Sequence, residues 1–137
     1  MEIQSFLLCG EVQHVAHSSI YHAQMIGIHS FHSLDGTYPL RLSSPYYLLL
    51  RREQRLGDEQ FTVRFDLVDQ DGRTAGEPRG HKYLGLFPAG ARFYTLHGMV
   101  DLVLPAIGDY RLDIVADEES HGSVFPYNIE VTPPPKG

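Results

Sequence analysis

Apolar and polar side chains alternate most regularly over residues 59–69 of this 137-residue chain. Every second position carries an apolar side chain: Phe61, Val63, Phe65 and Leu67. Because successive side chains of a β-strand point to opposite faces, this pattern predicts a strand with one buried face. It places Phe65 inside and Arg64 outside. The Asp71-Gly72 pair that follows favours a tight turn, since glycine readily adopts positive φ angles.

The C-terminal third contains three more segments of this kind. The alternation predicts one strand over 93–104, a second over 110–114 and a third over 125–131. Pro105 interrupts the pattern between the first two, as expected of a residue that lacks a backbone donor. This part of the chain therefore predicts consecutive strands joined by short turns.

The N-terminal half carries weaker signals. Residues 3–9, 20–31 and 46–52 are rich in apolar and aromatic residues and predict strands, and one short strand is expected near 83–87. No segment carries a convincing amphipathic helix pattern, and residues 10–19 are the best candidate, with room for a turn or two.

These segments amount to about seven or eight short strands, without an amphipathic helix that would support a parallel crossover. The sequence therefore predicts an all-β fold, a two-layer antiparallel β-sandwich of the immunoglobulin-like or jelly-roll-like kind. Tyr110 follows a turn containing Pro105 and Gly108, so its hydroxyl is expected to bind upstream backbone as a tyrosine corner does. Residues 1–132 are predicted to form one domain, followed by a proline-rich tail over 133–137.

Short motifs spread over most of the chain resemble a family of small uncharacterised bacterial proteins. The motifs are an apolar first strand, a strand with a central glycine leading to a Tyr-Pro step, and a late Gly-x-Tyr hairpin: Phe6–Cys9, Ile26-Gly27-Ile28, Tyr38-Pro39 and Gly108-Asp109-Tyr110. The resemblance implies an immunoglobulin-like β-sandwich. It implies no established activity and supplies no site residues.

Charge argues against a nucleic-acid partner. The chain has 17 acidic residues against 11 Lys and Arg, a net charge of −6, which repels phosphate backbones. The nearest approach to a basic patch is Arg51, Arg52 and Arg55, and Glu53 interrupts it. We therefore expect no binding of nucleic acid.

Cysteine content and hydropathy bear on the location of the protein. Cys9 is the single cysteine, so no intramolecular disulfide can form, and its apolar neighbours predict a buried thiol. The N-terminus has no basic segment typical of a signal peptide, and no apolar stretch is long enough to span a bilayer. These features predict a cytoplasmic protein without a membrane partner.

Histidine is the most unusual component, with eight in the chain. His14 and His17 are three residues apart, a spacing that brings two imidazoles together on a helix and separates them on a strand. If 10–19 were helical, Glu11 would provide a third zinc ligand, and a small zinc-dependent hydrolase would follow. The favoured interpretation is that these histidines bind no metal and that the protein uses no cofactor.

Other catalytic or metal-binding patterns are incomplete. Asp66, Asp69 and Asp71 suggest a calcium loop, although a polar hairpin turn explains the last two equally well. No serine lies in a Gly-x-Ser-x-Gly elbow, and the Gly85 to Gly90 spacing lacks the Lys-Ser/Thr of a phosphate loop. No catalytic residue is assigned, and whether the protein is an enzyme stays open, with the balance against it.

Outward apolar residues on the strand over 93–104 provide the remaining functional lead. Phe93, Met99 and Val103 lie opposite its core face and predict an interaction surface, provided that this face is uncovered. Edge pairing is expected if Ile3–Cys9 or Tyr46–Leu50, which carry no charge, lies at a sheet edge. The leading hypothesis is a protein-interaction or self-assembly module, with a protein partner or a homodimer. A carbohydrate-binding module is the other alternative, weakened by the absence of tryptophan.

Overall fold

Strands dominate the computed structural model, which describes residues 1–14, 21–24, 27–33, 35–52, 57–75, 82–116 and 123–133. Across these ranges the chain forms ten strands and no helix, so the predicted all-β class is confirmed there. The strands are β1 (Glu2–Leu8), β2 (Glu11–His14), β3 (Tyr21–Gln24), β4 (Ser30–Phe31), β5 (Leu40–Arg51), β6 (Glu59–Asp69), β7 (Lys82–Phe87), β8 (Phe93–Leu104), β9 (Gly108–Ala116) and β10 (Ser123–Val131). The number exceeds the expected seven or eight because β2, β3 and β4 are too short to show a clear alternation.

The strands form two main sheets and one small one. The first has the order β1-β5-β8, the second the order β4-β10-β9-β6-β7, and β2 pairs with β3 alone. All pairs are antiparallel except β4 with β10, which run parallel. The expectation of purely antiparallel pairing is therefore wrong for this pair. Ser30 and Glu130 lie a hundred positions apart, so no tight turn dictates the relative direction of their strands.

The helix candidate over 10–19 is not helical in the part that the structure describes. Residues 11–14 form β2 and pair with β3, with Glu11 opposite Gln24 and His14 opposite Tyr21. Residues 15–20 lie outside the described residues. The helix preference of this segment is weak, and tertiary pairing with a neighbouring strand overrides a weak local propensity.

The inner faces of the two main sheets contribute to one hydrophobic cluster. Phe65 on β6 is buried, as predicted, and its ring lies 5.0 Å from Tyr46 on β5 and 5.8 Å from Phe6 on β1, measured between centroids. Tyr110 is also buried. Its hydroxyl donates to the Ala106 carbonyl at 2.7 Å and accepts from the Ala106 amide at 3.1 Å. The expected tyrosine corner is confirmed.

Arg52 corrects the interpretation of the arginine-rich segment. It is only 4 % exposed, and its guanidinium lies 4.4 Å from the Phe87 ring centroid. It forms an ion pair with Glu59 at 3.3 Å. It also donates to three backbone carbonyls: Gly57, Pro88 and Ala91. Arg52 therefore ties the end of β5 to the start of β6 and to the loop between β7 and β8.

Arg51 does not form a basic patch with Arg52. Arg51 forms an ion pair with Glu2 at 3.1 Å. Arg55 lies outside the described residues. Burial of Arg52 follows from its position one residue beyond β5, where its amide still bonds to the Arg92 carbonyl and its side chain continues the inward series of that strand.

Gly85 on β7 permits a close approach to an aromatic ring. A Cβ built at Gly85 would lie 2.3 Å from Cζ of Phe61. Phe61 is fully buried, and the rings of Phe87 and Tyr94 flank it with centroids 6.4 and 5.4 Å away, so that a shift of its ring would disturb the core. β7 therefore packs on the core only when this position has no side chain.

Replacement of Arg52 tests its role in the core. Arg52→Ala leaves three carbonyls and the Glu59 carboxylate without their donor, and we expect a loss of about 3–5 kcal/mol in the free energy of unfolding. The matched control is Arg51→Ala, which removes a partly exposed ion pair and is expected to cost less than about 1 kcal/mol. Urea unfolding of both variants measures the difference. Equal losses would contradict the assignment.

Gly85→Ala tests the close packing of β7. We expect a loss of about 1–3 kcal/mol, since the added methyl group overlaps a ring whose shift would disturb the core. Gly57→Ala is the control, because a Cβ there meets nothing within 4 Å and the expected change is below about 0.5 kcal/mol. Thermal unfolding compares the two, and a stable Gly85→Ala variant would show that β7 is packed differently.

Candidate interaction edge

Exposed apolar side chains concentrate on two consecutive strands. Seven large hydrophobic residues among the described ones are exposed, and five of them lie on β7 and β8: Tyr83, Leu84, Leu86, Phe93 and Met99. Both are terminal strands of their sheets. Residues 88–92 link them, and the rings of Phe87 and Tyr94 at the two ends of this loop lie 5.9 Å apart. We call the outer side of β8 the β8 edge.

The backbone geometry of β8 follows from its pairing with β5. The Arg52 amide donates to the Arg92 carbonyl at 2.9 Å, which marks this pair as a hydrogen-bonded one. Because such pairs alternate along an antiparallel ladder, the even-numbered residues of β8 bond to β5. The odd-numbered residues then direct their backbone groups away from β5. Within the described part of the chain, β5 is the only strand that pairs with β8.

Side chains of the odd-numbered residues also point out of the core. Leu96 and Val100 are buried, whereas Phe93 is 53 % and Met99 55 % exposed. Val103 is half-buried. The prediction that this face is open is therefore met by Phe93 and Met99 and only partly by Val103.

Outward residues of β5 extend this face. Pro45 lies opposite Met99, and Leu49 lies opposite Thr95. Both are half-buried, so their apolar atoms continue the surface that Met99 begins. Asp101, also exposed, accepts a hydrogen bond from the hydroxyl of Ser43. The result is an apolar strip beside a strand edge, with Asp101 and His97 as its exposed polar groups on β8.

The opposite side of the first sheet is closed at one end. The Tyr127 hydroxyl donates to the Ile28 carbonyl at 2.7 Å and accepts from the Leu8 amide at 3.4 Å. The Leu8 carbonyl accepts from the amides of Gly27 and Ile28 at 2.9 and 3.0 Å. The outward backbone groups of Leu8 are therefore satisfied within the chain. Burial raises the pKa of Tyr127, so its phenol stays protonated and able to donate.

The strand order corrects the edge expectation for one of its two segments. Tyr46–Leu50 lies in β5, the central strand of its sheet, and so cannot pair with another chain. Ile3–Cys9 belongs largely to β1, a terminal strand, but Leu8 at the end of that strand is covered as described above. The β8 edge, where Phe93 and Met99 are exposed, is the stronger candidate site for strand addition.

Cys9 is buried, as predicted, and its thiol contacts the Leu7 carbonyl at 3.6 Å. Burial raises the pKa of the thiol, which lowers the fraction of reactive thiolate at neutral pH. Its position at the end of β1 makes it part of the packing there.

The zinc site required a helix over residues 10–19, and residues 11–14 of that segment form a strand. Glu11 and His14 lie on β2 rather than on a helix, and His17 lies outside the described residues. His29, another N-terminal histidine, stacks on Tyr127 with ring centroids 4.3 Å apart and donates from Nδ1 to the Asn128 carbonyl at 2.7 Å. No group of three or more His, Cys, Asp or Glu side chains in the described ranges is arranged to hold a metal ion.

The aspartates of the suspected calcium loop have partners within the protein. Asp66 binds the guanidinium of Arg64 at 2.8 Å. Oδ1 of Asp69 accepts from the amides of Asp71 and Arg73 at 2.9 and 3.0 Å, which forms a polar turn. The hairpin-turn alternative is therefore the observed structure.

Sequence reasoning missed Leu84 and Leu86, which are exposed on β7. The sequence could have revealed them, because Leu84 and Leu86 alternate with Tyr83 and Gly85 and so lie on one face of the strand. A strand with apolar residues on both faces is unusual where one face meets solvent, since that face is ordinarily polar. It also missed Pro45 and Leu49, whose outward position depends on the register between β5 and β8.

Comparison with models of known protein families and with curated proteins gave no match to this sequence. None of the described residues forms a helix long and apolar enough to cross a membrane. The functional argument therefore depends on the geometry of the edges.

Removal of the Tyr127 hydroxyl tests the closed side. Tyr127→Phe leaves the Ile28 carbonyl and the Leu8 amide without this partner, and we expect a loss of about 1–3 kcal/mol and faster hydrogen exchange at the Leu8 amide. Tyr38→Phe is the control, because the Tyr38 hydroxyl is buried and has no partner among the described residues. That variant is expected to be neutral or slightly stabilised. Unchanged exchange at Leu8 would show that Tyr127 does not close this edge.

Proposed function

We propose that this protein is a non-enzymatic protein-binding module that takes up a β-strand of its partner along the β8 edge. One observation carries the proposal: exposed apolar side chains concentrate on two terminal strands, and the outer side of β8 pairs with no strand in the described part of the chain. In strand addition the backbone ladder provides affinity, and alternate side chains provide specificity.

The proposal includes a two-layer sandwich with immunoglobulin-like strand order. Supporting it, the order β1-β5-β8 corresponds to strands A, B and E of such domains, and β10-β9-β6-β7 corresponds to G, F, C and C′. The tyrosine corner made by Tyr110 precedes the penultimate strand, as it does in that fold. The contacts of Phe65 with Tyr46 and Phe6 are those expected between the facing layers.

This correspondence explains why the β8 edge is open. In the constant-type arrangement the chain forms a strand D before strand E, and strand D pairs with the outer side of strand E. Here the five residues 88–92 connect β7 directly to β8, so the chain provides no strand at that position between them. A strand from another polypeptide can occupy the place that strand D would fill.

The β8 edge also lacks the usual protection against pairing. Natural edges are short, charged, interrupted by proline or bulged. β4 meets the first criterion with two residues, whereas β8 has twelve and is paired with β5 without a register shift. Among the outward side chains of β8, Asp101 is the single carboxylate, and there is no lysine or arginine.

Photo-crosslinking in the cells that make the protein tests this proposal. A photoreactive phenylalanine analogue replaces Met99 in one variant and Val124 in the other. Val124 on β10 is the matched control because its exposed fraction, 57 %, is similar to the 55 % of Met99. We expect covalent adducts with a polypeptide from position 99 at no less than ten times the yield from position 124. Equal yields, or no adduct from position 99, would refute binding at the β8 edge.

A further inference from the structure

We infer that the polypeptide bound at the β8 edge is the β8 strand of a second copy of this chain, paired antiparallel about a two-fold axis at Met99. This inference rests on the proposed function and specifies its partner. It follows from the order of the outward side chains along β8. When two copies of this strand run antiparallel, His97 of each copy lies opposite Asp101 of the other.

The two-fold pairing is defined by the residues whose backbone groups point outward. With Met99 opposite itself, every odd-numbered residue of one copy faces an odd-numbered residue of the other, so hydrogen-bonded pairs form along the edge. The facing pairs, each occurring twice apart from the central one, are Met99 with Met99, His97 with Asp101, Thr95 with Val103 and Phe93 with Pro105. No pair sets like charges against each other.

Charge favours this register over those with the axis at Asp101 or at His97. Pairing about Met99 sets both His97 side chains directly opposite an Asp101 carboxylate, and oppositely charged or hydrogen-bonding cross-strand pairs stabilise a ladder. A shift of the axis to Asp101 would set two carboxylates against each other. A shift to His97 would set Phe93 against Asp101, an apolar ring against a charge. Within its own copy Asp101 also accepts a hydrogen bond from the hydroxyl of Ser43.

Apolar surface continues across the same axis. Pro45 lies beside Met99 on β5, so the pairing creates a row of Pro45, Met99, Met99 and Pro45 across the two copies. Met99 is the residue at the centre of this row, and its exposed side chain gains the Met99 side chain of the second copy as a neighbour. The product is one continuous sheet of six strands in the order β1-β5-β8-β8-β5-β1.

Sedimentation equilibrium at micromolar concentration tests the inference. We expect the wild-type chain to sediment at twice its monomer mass, and Met99→Lys to weaken association at least a hundredfold, because two ammonium groups would face each other at the axis. Val124→Lys, an equally exposed apolar site on the second sheet, is expected to associate as the wild type does. Circular dichroism checks that all three proteins are folded.

A charge exchange tests the register. His97→Asp sets carboxylates opposite each other twice and is expected to weaken the dimer at least tenfold. The double variant His97→Asp with Asp101→Lys restores opposite charges only if the two positions face each other between copies, and it is expected to regain most of the affinity. A double variant as weak as the single one would overturn the register about Met99.

The outcomes separate this inference from the proposed function. A wild-type monomer whose position 99 still crosslinks to a different protein overturns the homodimer and leaves strand addition at the β8 edge standing. A dimer that persists in Met99→Lys uses another surface and overturns the homodimer proposed here. A monomer without adducts at position 99 overturns both proposals.

Discussion

The contact between the two main sheets through buried aromatic rings is the interaction on which the structure depends. Phe6 touches Tyr46, Phe65 and Tyr127, so one side chain of β1 reaches the central strand of its own sheet and two strands of the other. Burial of large aromatic side chains is among the strongest contributions available to a domain without disulfides. These contacts join side chains of the two main sheets in one hydrophobic cluster. They do not determine what covers the terminal strands of each sheet.

The two terminal strands of the first sheet, β1 and β8, differ in what covers their outer sides. At β1, the Tyr127 hydroxyl and the amides of Gly27 and Ile28 meet the outward backbone groups of Leu8. At β8, the outward side chains include Phe93 and Met99, which stay exposed. Hydrogen bonds within the chain thus cover the end of the β1 edge, whereas the β8 edge carries exposed apolar side chains, a feature that favours pairing with another strand.

Arg52 shows how a charged residue can stabilise the side of the protein that carries the open edge. Its guanidinium holds the carbonyls of Pro88 and Ala91, which belong to the short loop between β7 and β8. That loop determines where β8 begins, and its shortness is the reason no intervening strand covers β8. A buried cation is tolerated there because carbonyl oxygens, a carboxylate and the Phe87 ring replace its hydration.

The sequence by itself determined the strands and their inward faces. The bounds of β6 and β8, the burial of Phe65 and the hydrogen bonds of Tyr110 all follow from local alternation and turn chemistry, which act over a few residues. Only the tertiary structure decided which strands lie at edges, because edge position depends on pairing between segments far apart in the chain. The burial of Arg52, the covering of Leu8 by Tyr127 and the strand conformation of residues 11–14 depend on such pairing as well. Local periodicity identifies an outward face, but it carries no information on whether another part of the chain covers that face.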